Sequence, residues 1–308
     1  DENIIKYHEK YIHTWPLHPY DALVDLIKER KWDKLSIGLE MDSHYFTAYC
    51  YEKIKQGLPN AKVLDCERLV NWVRVVKSDA EIKFMKAAAQ ITELGMKKAF
   101  EAINPGVRQC DAVSEIYTTL IKGTPEFGGD YSSIVPMIPT GKGTSASHLT
   151  WSEDKFVEGE ATIIELSGVN KRYHCPMART VLLGKPDQLK IDTMKKTIEA
   201  LEAGISATKP GNTADDVAQA FWKILDKYGI EKKSRTGYSI GIGYPPDWGE
   251  HTLNIYKGDM TVLQPNVCFH MIAVMQFGEW GVEASESVRV TDKGNELFCN
   301  FSRDLHIK

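Results

Sequence analysis

The 308-residue sequence is short of what would tie it to a membrane, a nucleic acid or an oxidising compartment. No run of about 18 apolar residues is long enough to cross a bilayer, and no basic start followed by an apolar stretch marks an export signal. Basic residues are not in excess: 38 Lys and Arg stand against 42 Asp and Glu, a net charge of -4, which leaves no electrostatic footprint for a polyanion. The six cysteines, Cys50, Cys66, Cys110, Cys175, Cys268 and Cys299, never form CxxC, and a chain of this length needs no disulfide staples. These absences predict a cytoplasmic location, reduced thiols, and neither nucleic acid nor membrane as a partner. The chain starts at Asp1 instead of methionine, within charged, aromatic-rich sequence, so a natural N-terminal portion is expected to precede it.

Motifs of common hydrolases and nucleotide-binding proteins are missing as well. There is no HExxH, and His8, His13 and His18 stand five apart in a polar stretch, a spacing that fits neither one helix face nor one strand face and predicts solvated histidines. "TGKGTSAS" lacks the spacing of a phosphate loop, "GYSIGIGYPP" has glycines without the helix of a dinucleotide fingerprint, and GxSxG is absent.

What is present is a two-part pattern. Residues 19–65 read as helix (19–30), strand ("KLSIGLE"), helix (43–56) and strand ("AKVLD"), an α/β fragment too small for a good sheet alone. Near Val75 the character changes. Ser78 and Glu81 have capping-box spacing before a long apolar periodicity that stops at Asn104-Pro105-Gly106, so the domain boundary is placed between residues 1–74 and 75–308. A helix over 110–122, a Gly/Pro/Ser/Thr-rich segment over 123–147 and the hairpin "ATIIELSGVNKRYHCPMARTVLLG" follow. The order then recurs as a helix over 187–208, the stop Pro210-Gly211, a helix capped by Thr213, a Gly-rich loop and more strands, which predicts a duplicated half-domain around a central cleft.

Several polar residues flank that cleft. Glu165 interrupts the apolar run "ATIIELSG", and a buried carboxylate costs several kcal/mol unless it is paired or used, which makes it the leading catalytic candidate. His148 in "SHLTW" is a second candidate. "YPPDWGEHT" reads either as a specificity loop or as a surface turn. Glu283 and Glu286, three apart on one strand, face opposite sides, so at most one points into the cleft unless the strand bulges. His174 and Cys175 are adjacent, and alternation lets only one of them face it. Pro176, in mid-strand, requires a bulge or a sheet edge.

Taken together, these segments resemble the pita-bread superfamily of methionine aminopeptidases, prolidases and creatinases, over residues 75–308. The preceding residues resemble the later part of the creatinase/prolidase N-terminal domain. The resemblance implies an α+β pita-bread fold of two helix-helix-sheet halves behind a partial α/β domain. The family's five metal ligands, two Asp, one His and two Glu, fall here on Glu165, Pro176, Tyr238, Ile272 and Ser285, with Glu286 in the last place if the strand bulges. Proline and isoleucine cannot coordinate, so no metal and no cofactor is expected.

Within the superfamily, "IPTGKGTSASHLTW", "IELSGVNKRYHCPMARTV" and "GYSIGIGYPPDWGE" resemble the metal-free ectoine hydrolases. The implied substrate, ectoine or hydroxyectoine, joins an amidinium to a carboxylate. Glu165 is then expected as nucleophile or general base and His148 as proton shuttle. Tyr238, Trp151, Tyr244, Trp248, Glu286 and Arg179 are the candidates for substrate contact. One or two of the aromatics are expected to touch ligand, and Arg179 reads more readily as a framework residue, as the corresponding family Arg usually is. The family relation also implies a homodimer. A creatinase-like amidinohydrolase and a non-catalytic peptide-binding module are the alternatives.

Overall fold

In the computed structural model, which describes residues 4–308, the chain separates into two units after Val73. The first holds α1 (Pro19–Glu29), β1 (Ser36–Leu39), α2 (Ala48–Gly57) and β2 (Lys62–Asp65), with β1 and β2 paired in parallel. Helix α1 starts where His18 and Asp21 cap each other's backbone groups and Pro19 needs no N–H partner. Val24, Ile27, Ile54 and Leu58 form its small core. Two expectations are corrected here. Helix α2 begins only after Thr47, whose hydroxyl accepts the Cys50 N–H, and His18 is half-buried and accepts the Tyr20 N–H at the start of α1, while His8 is exposed as expected.

A short helix, α3 (Leu69–Arg74), leads out of this unit. The second unit then runs α4 (Asp79–Ala102), α5 (Gln109–Lys122), β3 (Ala161–Asn170), β4 (Tyr173–Leu182), α6 (Gln188–Ala207), α7 (Ala214–Lys227), β5 (Gly237–Tyr244), β6 (Asp247–Asn254), β7 (Cys268–Phe277) and β8 (Trp280–Thr291), closed by β9 (Gly294–Leu297) and β10 (His306–Ile307). Two helices followed by antiparallel strands thus occur twice. The Ser78/Glu81 and Thr213/Asp216 capping boxes start α4 and α7. The supposed Gly-rich loop is instead strand β5, and "DWGEHT" lies in β6, its hairpin partner. Its glycines are strand positions of close approach: a Cβ on Gly241 would stand 2.3 Å from Glu250 Oε1, and one on Gly237 2.7 Å from the His270 carbonyl.

The strands form one sheet in the order β10-β4-β5-β7-β8-β9, with β3 on β4 and β6 on β5. Helices cover one face. Ile164, Leu166, Cys175, Met177 and Val181 of β3 and β4 pack with α4 and α5 residues such as Ile91 and Ile116, while Phe269, Met271, Ala273, Val282 and Ala284 of β7 and β8 pack with α6 and α7. The alternate residues of the same strands face the other way, and these build the site. Among the described residues, no helix is long and apolar enough to cross a membrane.

Pro176 needs no bulge. It sits opposite Ser167 in an unbroken β3–β4 register. Two residues on, the Ala178 N–H points away from β3 and donates to Ser285 Oγ at 2.6 Å. By the same alternation the missing N–H of Pro176 belongs to that outer edge, where β4 meets β8 through side chains. There Ser287 donates to the Pro176 carbonyl at 2.7 Å, and Thr180 Oγ1 exchanges bonds with the Glu283 backbone at 2.8 and 2.9 Å. Proline therefore breaks no ladder bond.

Candidate active site

Strand alternation places Glu165 and Ser167 of β3 and His174, Pro176 and Ala178 of β4 on the helix-free face. The unbroken β7–β8 register adds His270, Ile272, Glu283 and Ser285, and Tyr238 of β5 stands opposite His270. All five positions matched to the family's metal ligands, Glu165, Pro176, Tyr238, Ile272 and Ser285, thus share one face. The same register corrects the expectation for Glu286. With no bulge, it lies on the helix side beside Met271 and accepts bonds from Arg179 Nη2 at 2.7 Å and Arg303 Nε at 2.8 Å. Arg179 is likewise on the helix side. Its remaining donors go to the carbonyls of Ala178, Ser285, Phe301 and Ser302, so it is framework and is not presented to a ligand.

At the centre of the face stands a chain of hydrogen bonds. Trp248 Nε1 donates to Tyr238 Oη at 2.7 Å, Tyr238 Oη meets His270 Nδ1 at 3.1 Å, and His270 Nε2 meets Ser285 Oγ at 2.6 Å. Glu165 Oε1 is 3.9 Å from His270 Nδ1. Every member of the group is buried, Glu165 at 8% exposure. Burial, and then the nearby Glu283 and Asp247 carboxylates, hold the Glu165 acid well above its ordinary range. Burial likewise pushes Glu283 up to about 7, against the pull of Lys232. Lys232 is itself brought down to about 8 by burial. Burial, reinforced by Arg179 and Arg235, lowers His270 to about 3, so its ring is neutral. Arg235 sets its guanidinium 4.5 Å from the centre of the Tyr238 ring. A hollow of about 320 Å³ is lined by residues 230–234 and 274–277, among them Val274, the cross-strand partner of Glu283.

The structure thus brings together Glu165, Tyr238 and Trp248 from the sequence-predicted set. The other candidates make no hydrogen bond to these three side chains. His148 is exposed, in a left-handed backbone conformation (φ 64°), on the segment after the 3₁₀ turn at Gly141–Ser145, and outside the bonded group around Glu165. Trp151 packs on the helix side, edge-on to Tyr117. Tyr244, half exposed at the β5–β6 turn, has the Arg172 guanidinium 4.7 Å from its ring centre. Of the adjacent pair, Cys175 belongs to the helix-side core and His174 faces the cleft. The His174 ring is fully committed: the Ser133 N–H donates to Nε2 at 3.0 Å, which leaves Nδ1 as the donor to the Arg172 carbonyl at 3.0 Å. The sequence reading does not single out His270, in the apolar run "CFHMIAVMQF", because a neutral imidazole, unlike a carboxylate, can be buried there at little cost. The available signal was its spacing of two from Ile272, which puts both residues on one strand face.

Ile272 and Pro176 carry no donor atom on their side chains. A dinuclear metal centre at the family's five positions therefore does not fit these residues.

Residues 83–292 match the model of metallopeptidase family M24, and residues 1–76 match that of the creatinase/prolidase N-terminal domain. The whole chain aligns at 42% identity with 79% of an ectoine hydrolase from Halomonas elongata. An uncharacterized hydrolase/peptidase of Sinorhizobium fredii is 37% identical over 100% of this chain and 79% of its own. In fold, the X-Pro aminopeptidase of Thermotoga maritima superposes with a TM-score of 0.83 at 19% identity, over 94% of this chain and 78% of that one. The Xaa-Pro dipeptidase of Bacillus anthracis gives 0.82 at 24% identity over the same shares.

Proposed function

Since the chain belongs to metallopeptidase family M24, behind a creatinase/prolidase N-terminal domain, and is a hydrolase of carbon–nitrogen bonds, we propose that it opens the ring of the cyclic amidine ectoine without metal, giving N-acetyl-diaminobutyrate. The donor set carries this reading. Four of the five positions that would hold metal are Pro176, Tyr238, Ile272 and Ser285, while the fifth remains a buried acid, Glu165. A face without metal cations that carries the acids Glu165 and Glu283 is suited to an amidinium, whose charge their ionised forms pair.

The mechanism follows from that charge pattern. Burial, and then the neighbouring carboxylates, favour the protonated form of Glu165 in the free enzyme. A bound amidinium supplies the counter-charge that favours the carboxylate and displaces this proton. A carboxylate oxygen then forms a bond to the amidine carbon while the C=N π pair moves onto a ring nitrogen, which discharges the cation. Water then adds at that carbon, giving one proton to Glu165 as the bond to it breaks with the electron pair on the carboxylate. The hydrated carbon gives up its hydroxyl proton and collapses to the amide as the ring C–N bond breaks and the leaving nitrogen gains a proton. In the variant route Glu165 takes the proton from the attacking water and no adduct forms. Trp248 and Tyr238 wall the amidinium, and Arg235 is the cation placed to meet the substrate carboxylate.

The reading includes a cytoplasmic homodimer, its oligomeric state measurable by light scattering. The test of function is incubation with ectoine, hydroxyectoine, creatine and an Xaa-Pro dipeptide, with and without chelator, and mass spectrometry of the products. N-acetyl-diaminobutyrate from ectoine, insensitive to chelator, is the expected result, with Glu165→Gln at least about 10²-fold slower. Turnover of creatine alone would favour the amidinohydrolase alternative, and dipeptide cleavage that chelator abolishes would overturn the metal-free reading. Peptide binding with no turnover of any substrate would favour the non-catalytic module.

A further inference from the structure

The chain Tyr238–His270–Ser285 has a hydrogen count that its geometry makes unusual. Its two ends are capped by groups that only donate: the indole N–H of Trp248 on Tyr238 Oη at 2.7 Å, and the backbone N–H of Ala178 on Ser285 Oγ at 2.6 Å. Neither cap can take a proton back. Between the caps lie three hydrogens, one each on the phenol, the neutral imidazole and the serine hydroxyl, and two links that use one hydrogen apiece. One donor is therefore always left over, and the tautomer of His270 decides where. With the proton on Nδ1, the ring donates to Tyr238, Ser285 donates to Nε2, and the spare O–H is that of Tyr238. With the proton on Nε2, the ring donates to Ser285, Tyr238 donates to Nδ1, and the spare O–H is that of Ser285.

His174, on the same face, shows what a fixed ring looks like. Its partners are a backbone N–H and a backbone carbonyl, which permit a single tautomer. Both hydrogen-bond partners of His270 are hydroxyls, which donate or accept equally well, so neither fixes the ring in one of its two states. The Tyr238 end adjoins the acid, since the nitrogen that Tyr238 bonds is itself 3.9 Å from Glu165 Oε1.

We propose that Tyr238, His270 and Ser285 form a proton wire that takes a proton from water at the Ser285 end and delivers one to the leaving ring nitrogen at the Tyr238 end. In one passage the Tyr238 O–H proton goes to the nitrogen, the Nδ1 proton moves to Tyr238, the Ser285 proton moves to Nε2, and Ser285 is refilled by the attacking water. Protons balance, no charge stays on the chain, and His270 ends in its other tautomer. The next turnover begins once the spare donor has exchanged back through solvent. Ser285 thus stands where the family has a metal ligand and acts on the same water by a different means. His270 supplies the reversible link that a proline or an isoleucine in its place would lack.

This inference rests on Glu165 reacting at the amidine carbon, and its test reads the wire separately from that step. The intact protein, ¹⁵N-labelled at histidine, is examined by NMR without ligand and with ectoine on the Glu165→Gln background. A neutral His270 ring populating both N–H positions is expected, against a single Nδ1–H form for His174. Kinetics then compare Tyr238→Phe, Ser285→Ala and Ser285→Thr. The first two are expected to lose about 10²-fold in kcat with little change in KM, and Ser285→Thr, which keeps the hydroxyl, to recover most of it. In mixed H₂O and D₂O, the wild-type rate is expected to curve with deuterium fraction, as several protons in flight require, and Tyr238→Phe to lose that curvature. A His270 locked in one tautomer, or Ser285→Ala with native kcat and an unchanged isotope profile, would overturn the wire while leaving ectoine hydrolysis by Glu165 intact. Native turnover by Glu165→Gln would instead overturn the function on which it rests.

Discussion

Arg235 and Glu286 show how differently two charged residues behave on opposite faces of one sheet. Arg235 is exposed, with its guanidinium 4.5 Å from the Tyr238 ring centre. A charge-assisted bond to the substrate carboxylate is worth about 1.5–3 kcal/mol, so Arg235→Met is expected to raise KM for ectoine about 10- to 100-fold with a smaller effect on kcat, measured in steady-state assays. Glu286 is buried and neutralises Arg179, whose guanidinium is itself 0% exposed. Its charge is a folding requirement. Glu286→Gln leaves Arg179 short of its counter-ion and is expected to cost about 3–5 kcal/mol, read as a lower urea midpoint with an unchanged slope. Both residues were hard to place from sequence, for different reasons. Glu286 and Ser285 differ by one position on a strand, and a one-residue change of register swaps which of them faces the cleft. Arg235 adjoins the long segment that was read as a loop. Glu165, by contrast, was legible because a lone carboxylate inside an apolar run has few outcomes other than pairing or use.

At the scale of elements, the hairpin β3–β4 repeats the lesson that a polar group inside apolar sequence has a task. Thr92 of α4 reaches into the hairpin. Its Oγ1 accepts the Gly168 N–H at 2.8 Å and donates to the Cys175 carbonyl at 2.6 Å, standing between two groups that would otherwise bond each other. Ser167 Oγ in turn accepts the Cys175 N–H at 3.0 Å. The helix approaches so closely that a Cβ on Gly168 would lie 2.4 Å from the Ala88 carbonyl. Thr92→Val keeps the shape and removes both bonds, leaving one buried donor and one buried acceptor unpaired. At about 1–3 kcal/mol each, it is expected to destabilise the protein by about 2 kcal/mol or more in denaturant unfolding, and a loss below about 0.5 kcal/mol would show that the hairpin closes on itself instead. The hairpin and the two capped helices were plain in the sequence, since their caps and periodicity are local signals. The wedge was not, because Thr92 and Cys175 are far apart in the chain, and neither were β5 and β6, because glycines needed for close packing look the same as glycines needed for a turn.

For the whole second unit, the buried titratable groups set an unusual dependence of stability on pH. His174 and His270 are lowered by burial to about 3 from 6.5. Each therefore contributes stability that is fully present above pH 6.5 and is lost as pH falls toward 3, since the unfolded ring takes up a proton that the folded one refuses. Glu250 and Glu283 are raised by burial to about 7 from 4.5, and Glu165 is raised in the same direction. Their contribution has the opposite sign: present in full below pH 4.5 and lost as pH rises, through 7 for Glu250 and Glu283. Between pH 4.5 and 6.5 the two histidines oppose three carboxyls, so stability falls by a net one proton, about 1.4 kcal/mol per pH unit, as pH rises. Below 4.5 the carboxyls are protonated in both states and the two histidines act alone, for a fall of about 2.7 kcal/mol per pH unit, two protons at about 1.36 kcal/mol each. From 6.5 to above 7 only the carboxyls act, and stability declines. Thermal unfolding is therefore expected to show a maximum near pH 4.5, a steep loss below it, and a decline above it that steepens from about 6.5, where only the carboxyls act. Saturating ectoine is expected to flatten the alkaline limb specifically, because a bound amidinium pairs the carboxylate that pH would otherwise leave buried and uncompensated. A melting temperature that keeps rising from pH 6 to 8 without ligand would show that Glu165 and Glu283 are ionised in the free protein, and would remove the displaced proton from the binding step.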